Sequence, residues 1–284
     1  MRWSPGGQSG NVEDRRSGGM GMAPMGIGGT VILLVLSLIF GRDFISGSGS
    51  DPAGTQAAGQ SQGGDVAPVQ QSPEEAKEVQ FVEFVLDTAQ STWAKVLPSQ
   101  TNATWHDAKL DLYRNGIQTG CGGGQTAMGP FYCPNDQKIY LDLAFFDDLR
   151  TQFGAPGEFA QAYVITHELG HHVQHILGTD QQVRRAQQRD PSRANALSVR
   201  LELQADCYAG VWGHYSGQEG ILEQGDLESG LTAAAAVGDD RIQKATTGSV
   251  NMDSFTHGSS SQRVSWFRRG FDSGDMKSCD TFAQ

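Results

Sequence analysis

The chain has 284 residues and a formal net charge of −11, with 38% hydrophobic residues and four cysteines. That acidic balance excludes a nucleic-acid binder built on a basic face, and the aromatic residues and apolar periodic runs exclude wholesale disorder. The length admits one globular domain with appendages or two small ones, and four cysteines are too few for a disulfide-dense mini-domain.

Residues 17–41 carry no charge, and their strongest part, residues 27–40, is almost wholly apolar. A bilayer span needs about 20 such residues. The Gly- and Met-rich stretch before the apolar core supplies the remaining length, so residues 17–41 read as a transmembrane signal anchor. A cleaved signal peptide is the alternative, with Ser46, Gly47 and Ser48 as small residues for cleavage, although they lie well past the apolar run. A buried soluble helix fits least, because the run has no polar face. Arg2, Arg15 and Arg16 precede the run, and after Arg42 the next basic residue is Lys77. The positive-inside rule then puts residues 1–16 in the cytoplasm and the remainder outside it, in the periplasm or beyond the cell. Residues 42–72, rich in Gly, Ser and Gln, read as a flexible linker. The folded domain is expected over residues 73–284.

Ser72-Pro73-Glu74-Glu75 has the order of a helix start, with a capping serine, a first-turn proline and a capping-box glutamate. Val79, Val82, Leu86, Ala89, Trp93 and Val96 follow at helical spacing, and Pro98 is expected to end the helix. A second helix is expected over Glu158–Leu177, closed by Gly178. It carries His167-Glu168-Leu169-Gly170-His171. Two histidines four residues apart on one helix face can reach one zinc ion, and Glu168 is placed to act as a base toward a water there. The pattern also arises by chance on surface helices. Here the apolar residues Phe159, Ala162, Tyr163, Val164 and Ile165 bury the helix, and an unpartnered buried His-Glu-His group would be costly.

A catalytic zinc takes three protein ligands. His175 lies eight residues from His167, about 12 Å along a straight helix, which is too far. His172 points off the ligand face, so His172 and His175 read as supporting or surface residues. The third ligand is expected on a later helix, opened by Asp190-Pro191 and carrying Glu202-Leu203-Gln204-Ala205-Asp206. Glu202 completes the set. Asp206, one turn on, can accept a hydrogen bond from a ligand imidazole. An ordinary solvated acidic face is the competing reading, disfavoured by the apolar residues around the pair.

Several motifs together resemble one family. They are Asn11-Val12-Glu13-Asp14-Arg15-Arg16, Cys121-Gly122-Gly123-Gly124, Gly129-Pro130-Phe131-Tyr132-Cys133-Pro134, the run from Tyr163 through the HExxH motif to Gln174, Glu202-Leu203-Gln204-Ala205-Asp206-Cys207, and Gly238-Asp239-Asp240-Arg241. The chain resembles the bacterial neutral zinc metallopeptidases of the YpfJ type. The resemblance implies a zincin-like fold, the gluzincin ligand set His167, His171 and Glu202, zinc as cofactor, and a membrane-anchored location. The expected fold class is α+β and mainly helical, with a small sheet beside the HExxH helix. By the same resemblance residues 137–143, which alternate as a strand, line the cleft and offer an open edge to an extended substrate, the alternative being an interior strand with no substrate contact.

Cys121 and Cys133 bracket a Gly-rich loop, and Cys207 and Cys279 would tie the Glu202 helix to the C-terminus. An even count outside the cytoplasm favours two disulfides over a nucleophilic Cys121. His257 is the leading candidate to stabilise an oxyanion, with His214 and Tyr208 as rivals. Residues 226–243 read as one Ala-rich helix, with Gly238-Asp239-Asp240-Arg241 as an ion-paired corner without chemistry. The expected protein is a membrane-anchored zinc metallopeptidase, with a peptide or protein substrate, the bilayer as partner through the anchor, and no nucleic acid. A non-catalytic zinc-containing scaffold of the cell envelope is the rival. Glu168 disfavours it, because a purely structural site needs no base.

Overall fold

Helix α1 (Pro73–Gln100) begins where its capping residues place it, the Ser72 hydroxyl accepting the Glu75 amide at 3.1 Å. Phe81, Val82, Val85, Leu86, Ala89, Trp93, Val96 and Leu97 form its buried face. Pro98 does not end the helix, which continues to Gln100. A proline deprives only the carbonyl four residues earlier of its partner. That carbonyl belongs to Ala94, an exposed residue. The computed structural model describes residues 1–18 and 71–283. The expected anchor and linker fall outside the described residues apart from their outermost positions, and among the described residues no helix is long and apolar enough to cross a membrane.

Four strands make the main sheet: β1 (Val12–Asp14), β2 (Lys109–Tyr113), β5 (Phe131–Cys133) and β6 (Lys138–Asp142), in the order β1-β2-β6-β5. β1, β2 and β6 are parallel, and β5 runs antiparallel to β6. Leu110, Leu112, Ile139 and Leu141 join the main core, while Tyr113, Cys133 and Tyr140 form a smaller cluster. A separate hairpin pairs β3 (Gly116–Thr119) with β4 (Gly122–Gln125).

Two expectations change at this sheet. Residues 137–143 do not supply its open edge: β6 is interior, flanked by β2 and β5, and the edge beside the HExxH helix is β5. The boundary at residue 73 also divides one body. Val12, Glu13 and Asp14 pair in register with Leu110, Asp111 and Leu112. Trp3 packs on Phe81 and Phe84, with ring centroids 5.2 and 6.0 Å apart. A three-residue strand has too few positions to show alternation, so its sequence gave no periodic signal.

The rest is helical: α2 (Ala144–Thr151), α3 (Glu158–Leu177), α4 (Thr179–Arg189), α5 (Ala194–Gln218), α6 (Asp226–Ala236), α7 (Asp239–Thr247) and α8 (Ser260–Ser273). Asp190 caps a short turn before α5, accepting the Ser192 amide at 3.2 Å. Residues 226–243 are not one helix. The chain breaks between α6 and α7, where a Cβ on Gly238 would lie 2.4 Å from the Ser260 nitrogen. Disulfides join Cys121 to Cys133 and Cys207 to Cys279, as their positions suggested. The first ties the β3–β4 hairpin to edge strand β5, and the second ties α5 to the C-terminal turn.

Glycines set how closely α5 meets its neighbours. A Cβ on Gly170 would sit 3.0 Å from the Ala205 carbonyl oxygen, so the HExxH turn of α3 lies directly against the Glu202–Asp206 turn of α5. On the other side of α5, a Cβ on Gly270 of α8 would fall 1.9 Å from the Cys207 carbonyl, and one on Gly210 would fall 2.0 Å from the Phe267 carbonyl. Both clashes are with backbone and cannot be relieved by a rotamer change. Gly270→Ala is therefore expected to cost about 3 kcal/mol, at the upper end of overpacking effects, despite alanine's better helix propensity. Urea unfolding measures this, and a variant as stable as the parent would refute the close crossing.

Candidate metal centre

His167 and His171 project from α3 toward Glu202 on α5. The His167 Nε2 lies 3.2 Å from Glu202 Oε2, and the His171 Nε2 lies 3.4 Å from Glu202 Oε1. The three side chains offer ligand atoms that all lie within 4.8 Å of one another. Donors about 2.0–2.1 Å from a tetrahedral zinc are roughly 3.3 Å apart, so this spacing fits a shared zinc ion.

The opposite ring nitrogens are already committed. His167 Nδ1 meets Asp206 Oδ1 at 2.9 Å, and His171 Nδ1 meets Gln174 Oε1 at 2.8 Å. Each Nδ1–H donates to an oxygen, which turns the Nε2 lone pair toward Glu202. Two lone pairs and a carboxylate facing one point repel unless a cation or a proton lies between them. Without a metal, burial works against a charged His167, yet its bonds to Asp206 and Glu202 raise its pKa to about 10. Glu202 is held well below the usual carboxylate range against its burial, chiefly by His171 and His167. The donor set therefore suits a divalent cation on its own chemistry.

Asp206 is fully buried and shared among three partners. Beside His167 it accepts the Tyr163 hydroxyl at 2.5 Å and the Arg263 guanidinium at 2.8 and 2.9 Å. Burial opposes its charge, and Arg263 with His167 nevertheless keeps it below its ordinary value. Gln174 is held in turn, donating to the Leu201 carbonyl at 2.7 Å and to Gln204 at 3.1 Å.

Glu168 is 8% exposed, next in sequence to His167. Burial pushes its carboxyl up, against the pull of His167, His171 and the Tyr132 backbone. Tyr132 belongs to edge strand β5, so that edge runs beside the carboxylate. His172 fixes the strand there: its Nε2–H donates to the His106 carbonyl at 2.8 Å, and its Nδ1 accepts the Tyr132 hydroxyl at 2.9 Å. It is fully buried, and burial lowers its pKa to about 4, so it stays neutral. His172 is thus a buried brace. His175 pairs with Asp180 at 3.0 Å, away from the His-His-Glu group.

His257 is half-buried, and it and Glu202 each favour the other's charged form. Its Nδ1 lies 3.2 Å from Asp239 Oδ1, while Asp239 Oδ2 accepts the amides of Thr256, His257 and Gly258 at 2.8, 2.7 and 2.9 Å. Burial opposes the His257 charge, but Asp239 and Glu202 raise its pKa. The supposed ion-paired corner is therefore a histidine mount: Asp239 serves His257, and Asp240 accepts the Ser260 amide at 2.7 Å. The rivals point elsewhere. The His214 Nδ1–H donates to the Phe271 carbonyl and its Nε2 accepts the Gln218 amide, and Tyr208 is buried edge-on to Trp93.

Arg263 was not singled out from the sequence, and Tyr163, Gln174 and Asp239 were named there without a role at this site. Tyr163 and Gln174 could have been given one, being four residues before His167 and three after His171 on the same helix. Arg263 reaches Asp206 across 57 residues, a contact no local pattern announces.

A mainly helical α+β protein with small sheets and a buried His-His-Glu group is the class these features define. Residues 1–282 match the family described as "Putative neutral zinc metallopeptidase", and the chain belongs to that family. It is 47% identical to "Uncharacterized protein YpfJ" of Escherichia coli (strain K12) over 295 residues, covering 100% of this chain and 99% of that protein. It is 45% identical to "Uncharacterized protein Rv2575" of Mycobacterium tuberculosis over 208 residues, covering 69% of this chain and 68% of that protein. No solved structure matches.

Proposed function

We propose that this protein is a zincin-type metallopeptidase that hydrolyses peptide bonds outside the cytoplasm. The observation that carries the reading is the convergence of two imidazole Nε2 lone pairs and one carboxylate beside the buried Glu168. His167, His171 and Glu202 would hold zinc, and Asp206 and Gln174 orient the two imidazoles. When bound, zinc supplies Lewis acidity toward the peptide carbonyl and the attacking water.

The remaining chemistry belongs to the chain's own side chains. Glu168 takes a proton from the attacking water and returns it to the leaving amine. Its raised carboxyl range suits both duties, because a strongly acidic carboxylate would be a poor proton acceptor. His257, mounted through Nδ1 on Asp239, presents its Nε2–H as a donor to the oxyanion. An extended substrate adds to the sheet along β5, whose one strand neighbour among the described residues is β6. Two disulfides support a setting outside the cytoplasm.

The full chain loaded with zinc, incubated with an unstructured protein and analysed by mass spectrometry, tests the reading. The parent is expected to cut, and Glu168→Gln to cut about 10²–10⁴-fold more slowly with unchanged zinc content. Equal cleavage by both would remove Glu168 from the chemistry. Zinc uptake with no cleavage by the parent would favour the scaffold reading.

A further inference from the structure

We infer that residues 1–18 and residues 71–283 lie on the same side of any membrane this protein meets. The first segment is built into the second at several independent points. β1 completes one side of the main sheet by pairing with β2. The Ser9 hydroxyl donates to Asp87 of α1 at 2.6 Å, and Trp3 lies on Phe81 and Phe84. Asp111 of β2 is fully buried, and its carboxylate meets Arg15 at 3.1 Å as well as Lys138 at 3.1 Å. Without residues 1–18, β2 would lose one of its two strand neighbours and Asp111 one of its two cations, a costly exposure of paired groups.

The two chain ends flanking residues 19–70 also meet. Arg16 donates to Gln71 at 2.7 Å and pairs with Glu75 at 2.8 Å. The described residues on either side of that segment therefore lie side by side. A single crossing would put β1 and β2 on opposite sides of a bilayer. Exchange between copies does not help, since every copy inserted that way would have its residues 1–18 on the wrong side.

The basic residues that suggested a cytoplasmic N-terminus have another use. Arg15 pairs with Glu13 at 2.7 Å and Asp111 at 3.1 Å, and Arg16 pairs with Asp14 at 2.6 Å and Glu75 at 2.8 Å. Their charges are absorbed by the fold, so they are accounted for without membrane orientation. The buried Cys207–Cys279 disulfide favours an oxidising compartment as the shared side.

Cysteine accessibility tests this on the full chain in intact cells. The four native cysteines are paired, so a single added cysteine is the reactive thiol, with the parent as background. Gly6→Cys and Ala94→Cys place it at exposed positions of the two segments. A membrane-impermeant maleimide is expected to label both alike before lysis. Labelling of both only after lysis would also support the shared side and put it in the cytoplasm. One labelled before lysis and the other only after would overturn the inference, as would loss of residue 6 by cleavage while the body is retained. Ser9→Cys with Asp87→Cys reads the packing itself: oxidation should join them into a faster-migrating, thiol-sensitive band, and its absence in a folded protein would overturn the docking of residues 1–18.

Discussion

Glu202→Ala is expected to lower zinc affinity by about two to three orders of magnitude while leaving the chain folded. A four-ligand zinc site is worth about 10–16 kcal/mol, so one ligand accounts for roughly 2.5–4 kcal/mol. The two histidines cannot compensate, because each is locked by its own Nδ1 bond, to Asp206 and to Gln174. No other carboxylate is grouped with them among the described residues. The fold should survive, because Glu202 is half-buried and its hydrogen-bond partner is His167, not a core group. Competition titration with a chromophoric chelator measures the affinity, and far-ultraviolet circular dichroism reports the fold. Retention of zinc at the parent's affinity would remove Glu202 from the ligand set. A parallel Asp206→Ala variant separates holding from orienting: loss of an orienting group typically costs about 10–100-fold.

The parts of this centre that were legible in the sequence are those set by helical geometry. His167 and His171 share a face because four residues make one turn, and Glu202 and Asp206 do so for the same reason. That the two turns face each other was inferred from the chemistry of an incomplete ligand set, and Gly170 supplies the physical means by letting α5 approach. The edge strand was misassigned because β6, with buried side chains on both faces, has the stronger strand pattern, whereas Phe131-Tyr132-Cys133 is short and framed by prolines. The role of Asp239 was hidden because its partners are mostly backbone amides of residues 256–258, which no side-chain pattern encodes. The docking of residues 1–16 was hidden by distance along the chain and by the apolar run between, which drew every nearby arginine into an argument about topology.

Arg263→Met is expected to destabilise the protein by about 3–5 kcal/mol, more than its distance from the ligand atoms suggests. The guanidinium is 4% exposed and makes the only full-charge contact to Asp206 among the described residues apart from His167. It also donates to the Tyr163 hydroxyl at 3.1 Å and to the Val237 carbonyl at 3.2 Å. One side chain therefore joins α3, α5 and the break before α7, whose first residue, Asp239, holds His257. Methionine fills similar space but leaves Asp206 a buried anion with hydrogen bonds and no countercharge except a protonated His167. Arg263→Lys should recover only part of the loss, since a single ammonium cannot match the guanidinium fork that reaches both carboxylate oxygens. Adding Asp206→Asn to Arg263→Met should cost less than the two single changes summed, because removing both charges leaves neither unpaired. Urea unfolding of the four proteins closes the cycle. An Arg263→Met variant within 1 kcal/mol of the parent, or strict additivity with Asp206→Asn, would show that the pair is not coupled and that Asp206 orients His167 unaided.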